Sequence, residues 1–372
     1  MEHNFTKQIK QILESNFGKI AEDVFKRSEL LQYLNIKTIS AYRGSKARGS
    51  FGNLYAIYVL IEDYLNNKFD NKGKYDEYGG AIFSELFSRQ RELPFGAKLQ
   101  NHALNHRMNQ EFKKTFPTSD YTPIIRVVET KRYWINENLL KVKVGRKNYN
   151  ISKSVIEIIN KYIDTKKSAF DNFINTCESL KNISSKKSKE IEKFIINLLA
   201  PNVDARVFEI VSFSILKYFY NNQSIFWGFE IEKLEEENLM LYKTGRTNAN
   251  DGGIDFVMKP LGRFFQVTET LDLKKYFLDI DKIEKYPITF VVKTEQSEKE
   301  VLKLIKEKAQ EQYLVKAVVK KYMECIEEII NIDNLKNRLR LSIKQGNLKN
   351  ILNEILIQSK VEFNYEDEDN EI

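Results

Sequence analysis

The feature that most constrains the fold is a pair of strand-like runs in the second half of the chain, joined by a tight turn. The runs cover residues 254–258 and 263–268, and Pro260 and Gly262 lie between them. Proline and glycine so close together are typical of a short connection between paired strands. The sequence therefore predicts a hairpin here, and the fold of this half of the chain has to contain it.

The register of this hairpin decides which polar side chains come together. A turn centred just after residue 260 places Asp255 directly opposite Gln266, on one face of the sheet. Thr268 lies further along the same face. The pattern thus predicts a carboxylate and an amide oxygen side by side, next to a bend at Gly252 and Gly253.

Oxygen ligands of this kind suit one hard divalent cation such as Mg²⁺. Hydrolysis of a phosphodiester uses such an ion to stabilise charge on the scissile phosphate and to lower the pKa of a bound water. Glu209, on a predicted helix that enters the same domain, is the candidate for a second carboxylate. The alternative interpretation is structural: Asp255 is an aspartate beside a turn, and Gln266 is a solvated strand residue.

The elements around the hairpin alternate between helix and strand. Asp204 is a suitable cap for a helix over residues 205–220. The rest of this half reads as strand-like runs at 225–231, 239–242 and 288–292, a short helix at 273–283 and helical pattern from 298 to the tail. This order predicts an α/β (α+β) fold in which a mixed β-sheet is flanked by helices.

Three segments carry a resemblance to a known family. Phe208-Glu209, then Asp251-Gly-Gly-Ile-Asp255, then Phe265-Gln266-Val-Thr268 resemble the PD-(D/E)xK nuclease superfamily, and within it the Mrr-like branch of restriction endonucleases. The resemblance covers residues 204–293. It implies a restriction-endonuclease-like core in which Asp255 is the metal-binding acid, Gln266 takes the Glu/Gln position and Glu209 assists the metal or the water.

The same resemblance implies an activity. It points to a type II restriction enzyme, a sequence-specific endonuclease that hydrolyses double-stranded DNA with Mg²⁺ in host defence against foreign DNA. No small-molecule cofactor other than the metal is expected. Because both strands of a short palindromic site have to be cut, a homodimer is expected as well.

One motif position departs from the family pattern. Thr268 stands where the family carries its catalytic lysine, and threonine supplies no positive charge to the water or the phosphate. Lysines nearby in sequence are the candidates to replace it: Lys243, Lys259, Lys274 and Lys275. A catalytically degenerate DNA-binding protein is therefore an alternative function.

Charge is concentrated in the first half of the chain. The net charge is +7, but residues 31–150 contain 20 Lys/Arg and 11 Asp/Glu, an excess of nine positive charges. Such an excess favours a polyanion such as DNA, although a solvated lysine-rich surface is the alternative. The candidate DNA contacts are Arg43, Lys46, Arg48, Arg89, Arg91, Lys131 and Arg132, and, in the loop beside the predicted metal site, Arg246, Asn248 and Asn250.

The sequence predicts two domains, divided near a polar stretch at residues 181–189. Residues 1–195 form a mostly helical, basic DNA-recognition domain, and residues 196–372 form the nuclease domain with a helical C-terminal extension. A cytoplasmic protein without membrane association is expected, because no apolar run reaches membrane-spanning length and the N-terminus has no secretion-signal pattern. Two alternatives remain: a nuclease that depends on methylated DNA, and a structural protein whose Gly-Gly-Ile-Asp segment is only a turn.

Overall fold

The computed structural model describes most of the chain. The described residues are 2–39, 41, 47–71, 74–97, 99–181, 188–201, 203–244, 254–269, 273–282 and 286–363; within them, the side chains at 47–49, 273–275, 278, 282 and 363 are not described. The chain divides into two compact units, Met1–Phe173 and Ile174–Ile372. This division falls inside one continuous helix, Ser152–Lys181, and so lies earlier than the sequence boundary at 195.

The first unit is mostly helical. Its helices are α1 (Thr6–Phe17), α2 (Ala21–Arg27), α3 (Glu29–Lys37), α4 (Ala47–Asn66), α5 (Phe83–Glu92), α6 (Met108–Thr115) and α7 (Ser152–Lys181), which continues into the second unit. Aromatic residues form much of the core, and the largest fully buried ones are Phe5, Tyr33, Tyr55, Tyr64, Phe112 and Tyr162.

Two small sheets complete the first unit. The strands are β1 (Ala81–Ile82), β2 (Ile124–Val127), β3 (Arg132–Ile135), β4 (Lys141–Val144) and β5 (Lys147–Asn150). The first three form an antiparallel sheet in the order β1-β3-β2, so that β2 is an outer strand, and β4 pairs with β5.

The second unit alternates helices and strands. Its helices are α8 (Ser188–Asn197), α9 (Ala205–Tyr220), α10 (Leu273–Lys282), α11 (Glu298–Gln312), α12 (Lys316–Glu324), α13 (Ile332–Lys344) and α14 (Leu348–Phe363). Its strands are β6 (Ser224–Trp227), β7 (Glu235–Asn238), β8 (Met240–Lys243), β9 (Phe256–Lys259), β10 (Arg263–Thr268), β11 (Ile288–Val292) and β12 (Ile326–Ile330).

Five of these strands form one mixed sheet in the order β12-β11-β10-β9-β8. β8, β9 and β10 pair antiparallel, whereas β10, β11 and β12 pair parallel. β6 and β7 form a separate two-stranded hairpin. The chain is thus a mixed α/β protein, as the sequence predicts.

The hairpin of β9 and β10 has the predicted register. Met258 pairs with Arg263, Val257 with Phe264 and Phe256 with Phe265, which carries Asp255 opposite Gln266. Gly262 has φ +66°, a backbone conformation that residues with a Cβ rarely adopt, and its N–H donates to the Met258 carbonyl at 2.8 Å. Glycine at this position therefore helps to fix the turn and with it the register.

Helices cover both faces of the five-stranded sheet. On one face α9 packs its rings on the sheet, with Phe213 5.2 Å from Phe256 between ring centroids. On the other face Tyr276 of α10 lies 4.5 Å from Phe290, and Val301 of α11 joins the same buried cluster. α9 is apolar almost all round, because α13 and α14 cover its outer side.

Two predicted elements of this unit differ from the structure. Residues 326–330, inside a region predicted to be helical, form β12, because Ile329 and Ile330 are buried beside β11 and the backbone of β12 pairs with it. The run at 225–231 is a strand only over Ser224–Trp227 and continues into a 3₁₀ turn at Ile231–Lys233. Among the described residues, no helix combines the length and the apolar character needed to cross a membrane.

Candidate active site

The polar residues of interest lie at one edge of the five-stranded sheet. β8, β10 and β11 run in the same direction, so their carboxyl ends meet at this edge, where Lys243, Thr268 and Lys293 are found. β9 runs in the opposite direction and begins here, directly after Asp255. Carboxyl ends of strands are the usual place for a binding site in open α/β sheets.

Asp255, at the amino end of β9, is held in place by hydrogen bonds of both its backbone and its side chain. Its N–H donates to the Phe265 carbonyl at 2.9 Å, and its Oδ2 accepts the N–H of Val267 at 2.7 Å. The Thr244 N–H donates to the Asp255 carbonyl at 3.0 Å, which ties this point to the end of β8. The carboxylate is therefore positioned firmly at the sheet edge, next to β10.

Gln266, opposite Asp255, has a buried acceptor without a donor. Its side chain is 6% exposed, and its Nε2 donates to the Val267 carbonyl at 3.3 Å. Its Oε1 is buried, and no hydrogen-bond donor reaches it among the described residues. A buried oxygen of this kind costs free energy unless a cation or a donor satisfies it.

Thr268 lies on the same face as Gln266 and is buried to 3% exposure. It interacts with the Tyr276 hydroxyl of α10. Burial raises the pKa of Tyr276, and the contact with Thr268 opposes that rise. Position 268, where the resemblance alone would place a lysine, is therefore occupied by a small side chain that packs under α10.

Glu209 lies on α9, whose N-terminus is capped by Asp204: the Asp204 carboxylate accepts the N–H of Arg206 at 2.7 Å. The Glu209 carboxylate forms ion pairs with Arg206 and with Lys243, the latter at 3.1 Å from Nζ. Burial acts to raise the pKa of Glu209, but the charges of Lys243 and Arg206 outweigh it and hold that pKa below its ordinary value. Glu209 is therefore an ionised, paired carboxylate.

The structure brings together some of the predicted site residues and separates others. Asp255, Gln266 and Thr268 share one sheet face, as predicted, whereas Glu209 lies on the helix that covers the opposite face. In the described part of the chain, no group of three or more His, Cys, Asp or Glu side chains is placed to hold a metal ion. The predicted loop residues Arg246, Asn248 and Asn250, with Asp251, lie outside the described residues.

The lysines near the motif differ in position. Lys243 ends β8 and pairs with Glu209. Lys259 lies at the turn end of the β9–β10 hairpin, where its ammonium is 5.5 Å from the ring centroid of Tyr242. The side chains of Lys274 and Lys275 are not described.

Lys293 is a residue that the sequence analysis missed. Its side chain is 1% exposed, pairs with Glu269 at 3.2 Å and donates to the Val203 carbonyl before α9. Its backbone N–H donates to the Thr268 carbonyl at 3.0 Å, so it adjoins the motif in space but not in sequence. One sequence signal could have found it: this lysine directly follows the five buried residues of β11. A lysine in such a position tends to be buried as well, and a buried lysine needs a partner.

The described DNA-contact candidates of the first unit are not equally available. The guanidinium of Arg89 pairs with both oxygens of Glu62, at 2.8 and 2.9 Å, and this raises the pKa of Arg89. Arg91 is exposed and donates to the Ala97 carbonyl. Lys131 is exposed, and Arg132 donates to the Gly80 carbonyl. Arg43 and Lys46, and the side chain of Arg48, lie outside the described residues.

Comparisons of this chain with protein-family models, with curated proteins and with solved structures found no match.

Proposed function

We propose that the chain is a Mg²⁺-dependent endonuclease of double-stranded DNA, of the restriction type, with its active site at the Asp255–Gln266 edge of the five-stranded sheet. The observation that carries this proposal is the buried, unsatisfied Oε1 of Gln266 opposite the Asp255 carboxylate. The mixed sheet with helices on both faces is compatible with a restriction-endonuclease-like core. In this proposal the protein acts in the cytoplasm, as a homodimer, in defence against foreign DNA.

The residues present fit a magnesium ion. Mg²⁺ prefers oxygen ligands and commonly takes one or two from the protein while keeping several waters. Asp255 and Gln266 would hold it, and when bound it supplies the charge that stabilises the phosphate and acidifies a water. The Asp255 carboxylate is already oriented by the Val267 N–H, so little ordering is needed when an ion binds.

The lysine missing at 268 is not replaced by Lys243 in this proposal. Lys243 pairs with Phe256 across β8 and β9, and its ammonium lies over Phe213 of α9, on the face opposite to Asp255 and Gln266. Its ion pair with Glu209 therefore belongs to the packing of α9 on the sheet. The charge for the phosphate would come from the metal alone.

A second candidate function is DNA binding without cleavage. The observation in its favour is Thr268, which is buried at the lysine position and supplies no charge. The basic residues of the first unit serve DNA binding under both proposals, so cleavage itself has to discriminate between them.

The test is cleavage of unmethylated plasmid and phage DNA in Mg²⁺ by the wild type, Asp255→Asn and Glu295→Ala. The asparagine retains an oxygen that can accept from Val267 but loses the charge for the metal. Glu295 is an exposed carboxylate near the same edge and is the matched control. We expect discrete fragments from the wild type and the control, and intact DNA with Asp255→Asn.

Equal cleavage by Asp255→Asn would place the active site elsewhere and refute the proposal. Intact DNA with all three proteins, together with a DNA mobility shift, would favour the second candidate. Cleavage only of methylated DNA would instead identify a methylation-dependent nuclease.

A further inference from the structure

The hairpin of β6 and β7 carries an unusual amount of exposed apolar surface. Phe229 is 97% exposed, Ile231 83% and Phe226 72%, and Trp227 lies 6.0 Å from Phe229 between ring centroids. All four residues of β7 are exposed. Clustered exposed apolar side chains of this size usually mark a place where another molecule binds.

The charge of the same hairpin restricts the partner. Residues 224–238 contain five glutamates and one lysine. Phosphates of DNA or of a membrane surface would be repelled by these acids, whatever the aromatic side chains offer. The chemistry instead fits a protein surface that is both apolar and basic.

The first unit of this chain has a surface of that description. β2 is the outer strand of its sheet, with Ile125 45% and Val127 40% exposed, and the adjoining Val128 is 59% exposed. Arg126, between the two exposed strand residues, is itself exposed. The strand lies within the region that carries nine excess positive charges. The N–H and carbonyl of Ile124 on this strand are already bonded to the Asn109 side chain, so β2 offers a partner mainly its side chains.

We propose that the β6–β7 hairpin of one copy docks on β2 of a second copy of this chain. Apolar side chains on both surfaces are covered by the contact, and the glutamates of the hairpin face the basic region around Arg126. This inference does not rest on the proposed nuclease activity, since it requires neither metal nor DNA.

The test is the molar mass of the full chain in solution, measured by sedimentation against protein concentration and without DNA. DNA is omitted because Lys131 and Arg132, which are candidate DNA contacts, adjoin β2. The wild type is expected to exceed the monomer mass as concentration rises, and a Phe229→Ser/Ile231→Ser double variant to stay monomeric. Leu314→Ser, which removes an equally exposed leucine of the same unit, is the control and should associate like the wild type.

An exchange of charges between the two surfaces tests whether β2 is the docking site of the hairpin. Glu236→Lys and Arg126→Glu should each weaken association at least several-fold, and the two together should restore it. All four substituted side chains of the hairpin and strand are exposed, so the fold is retained, which circular dichroism checks. A wild type that stays monomeric, a double variant that still associates, or a charge exchange that fails to restore association would each overturn the proposal.

Discussion

Gln266 has a buried side-chain oxygen that no hydrogen-bond donor of the described residues reaches. An unsatisfied buried acceptor costs about 1–3 kcal/mol, whereas an apolar side chain of similar shape carries no such penalty. We therefore expect Gln266→Met to raise the free energy of unfolding by about 1 kcal/mol in metal-free buffer.

If Mg²⁺ binds as proposed, it stabilises the wild type, and the same variant should lose that stabilisation because one of the two proposed ion ligands is gone. Urea unfolding with and without Mg²⁺ measures both effects. Glu295→Gln is the control and should behave like the wild type in both buffers. A Gln266→Met variant that is less stable than the wild type without metal would show that the amide has an ordinary structural partner.

The contribution of the Glu209–Lys243 ion pair to the stability of the fold depends on pH. The pKa of Glu209 is lowered by its cationic partners, so the pair stabilises the fold above the ordinary value of 4.5 and loses this contribution as pH falls through the lowered pKa. Glu209→Gln should therefore flatten the decline of stability in acid.

A double-mutant cycle with Lys243→Met gives the strength of this pair. Both side chains are largely buried, so a coupling energy of about 1 kcal/mol at neutral pH is expected. The coupling should disappear below the lowered pKa. Thermal unfolding of the four proteins at several pH values provides the measurement, and a coupling near zero at neutral pH would contradict the assigned pair.

At the scale of elements, α9 packs on one face of the five-stranded sheet, and the side chain of Asp204 caps its N-terminus. Asp204→Ala removes the acceptor for the Arg206 N–H, so we expect a loss of about 1 kcal/mol in stability. Asp204→Asn, which retains a capping oxygen, should lose much less. Denaturant unfolding distinguishes the two, and equal losses would mean that Asp204 acts through something other than the cap.

The elements also show what the sequence could predict. The β9–β10 register followed from a turn centred just after Pro260, because hairpin pairing is local. β12 was missed because its pairing with β11 is parallel and distant in sequence, and its five residues lie between two helices. Local patterns determine local pairing, whereas a parallel strand depends on the sheet that receives it.

The same limit applies to the candidate site. Asp255 and Gln266 were placed together by counting along one hairpin. Lys293 was not found, because it comes to the motif through the parallel pairing of β10 with β11. Glu209 could be assigned to a helix but not to a sheet face, since packing of α9 decides that face.

At the scale of the whole molecule, the proposed DNA binding should depend on which basic side chains are not already held by acidic partners. Arg89 is already paired with Glu62, whereas Arg91, on the same helix, is exposed. Arg91→Ala should therefore weaken binding to duplex DNA and reduce the slope of log affinity against log salt by about one. Arg89→Ala should change both far less.

Fluorescence anisotropy with a labelled duplex at several salt concentrations measures these slopes. Equal effects of the two substitutions would show that the Glu62 pair opens on binding DNA. If neither substitution changes DNA binding, the DNA contact lies on elements other than α5.

The proposed Mg²⁺ site at Asp255 and Gln266 is tested most directly by calorimetric titration of Mg²⁺ into the protein without DNA. We expect one binding event for the wild type, retained by Glu295→Ala and lost in both Asp255→Asn and Gln266→Met. Binding of unchanged affinity in those two variants would refute the proposed site and assign the metal to other residues.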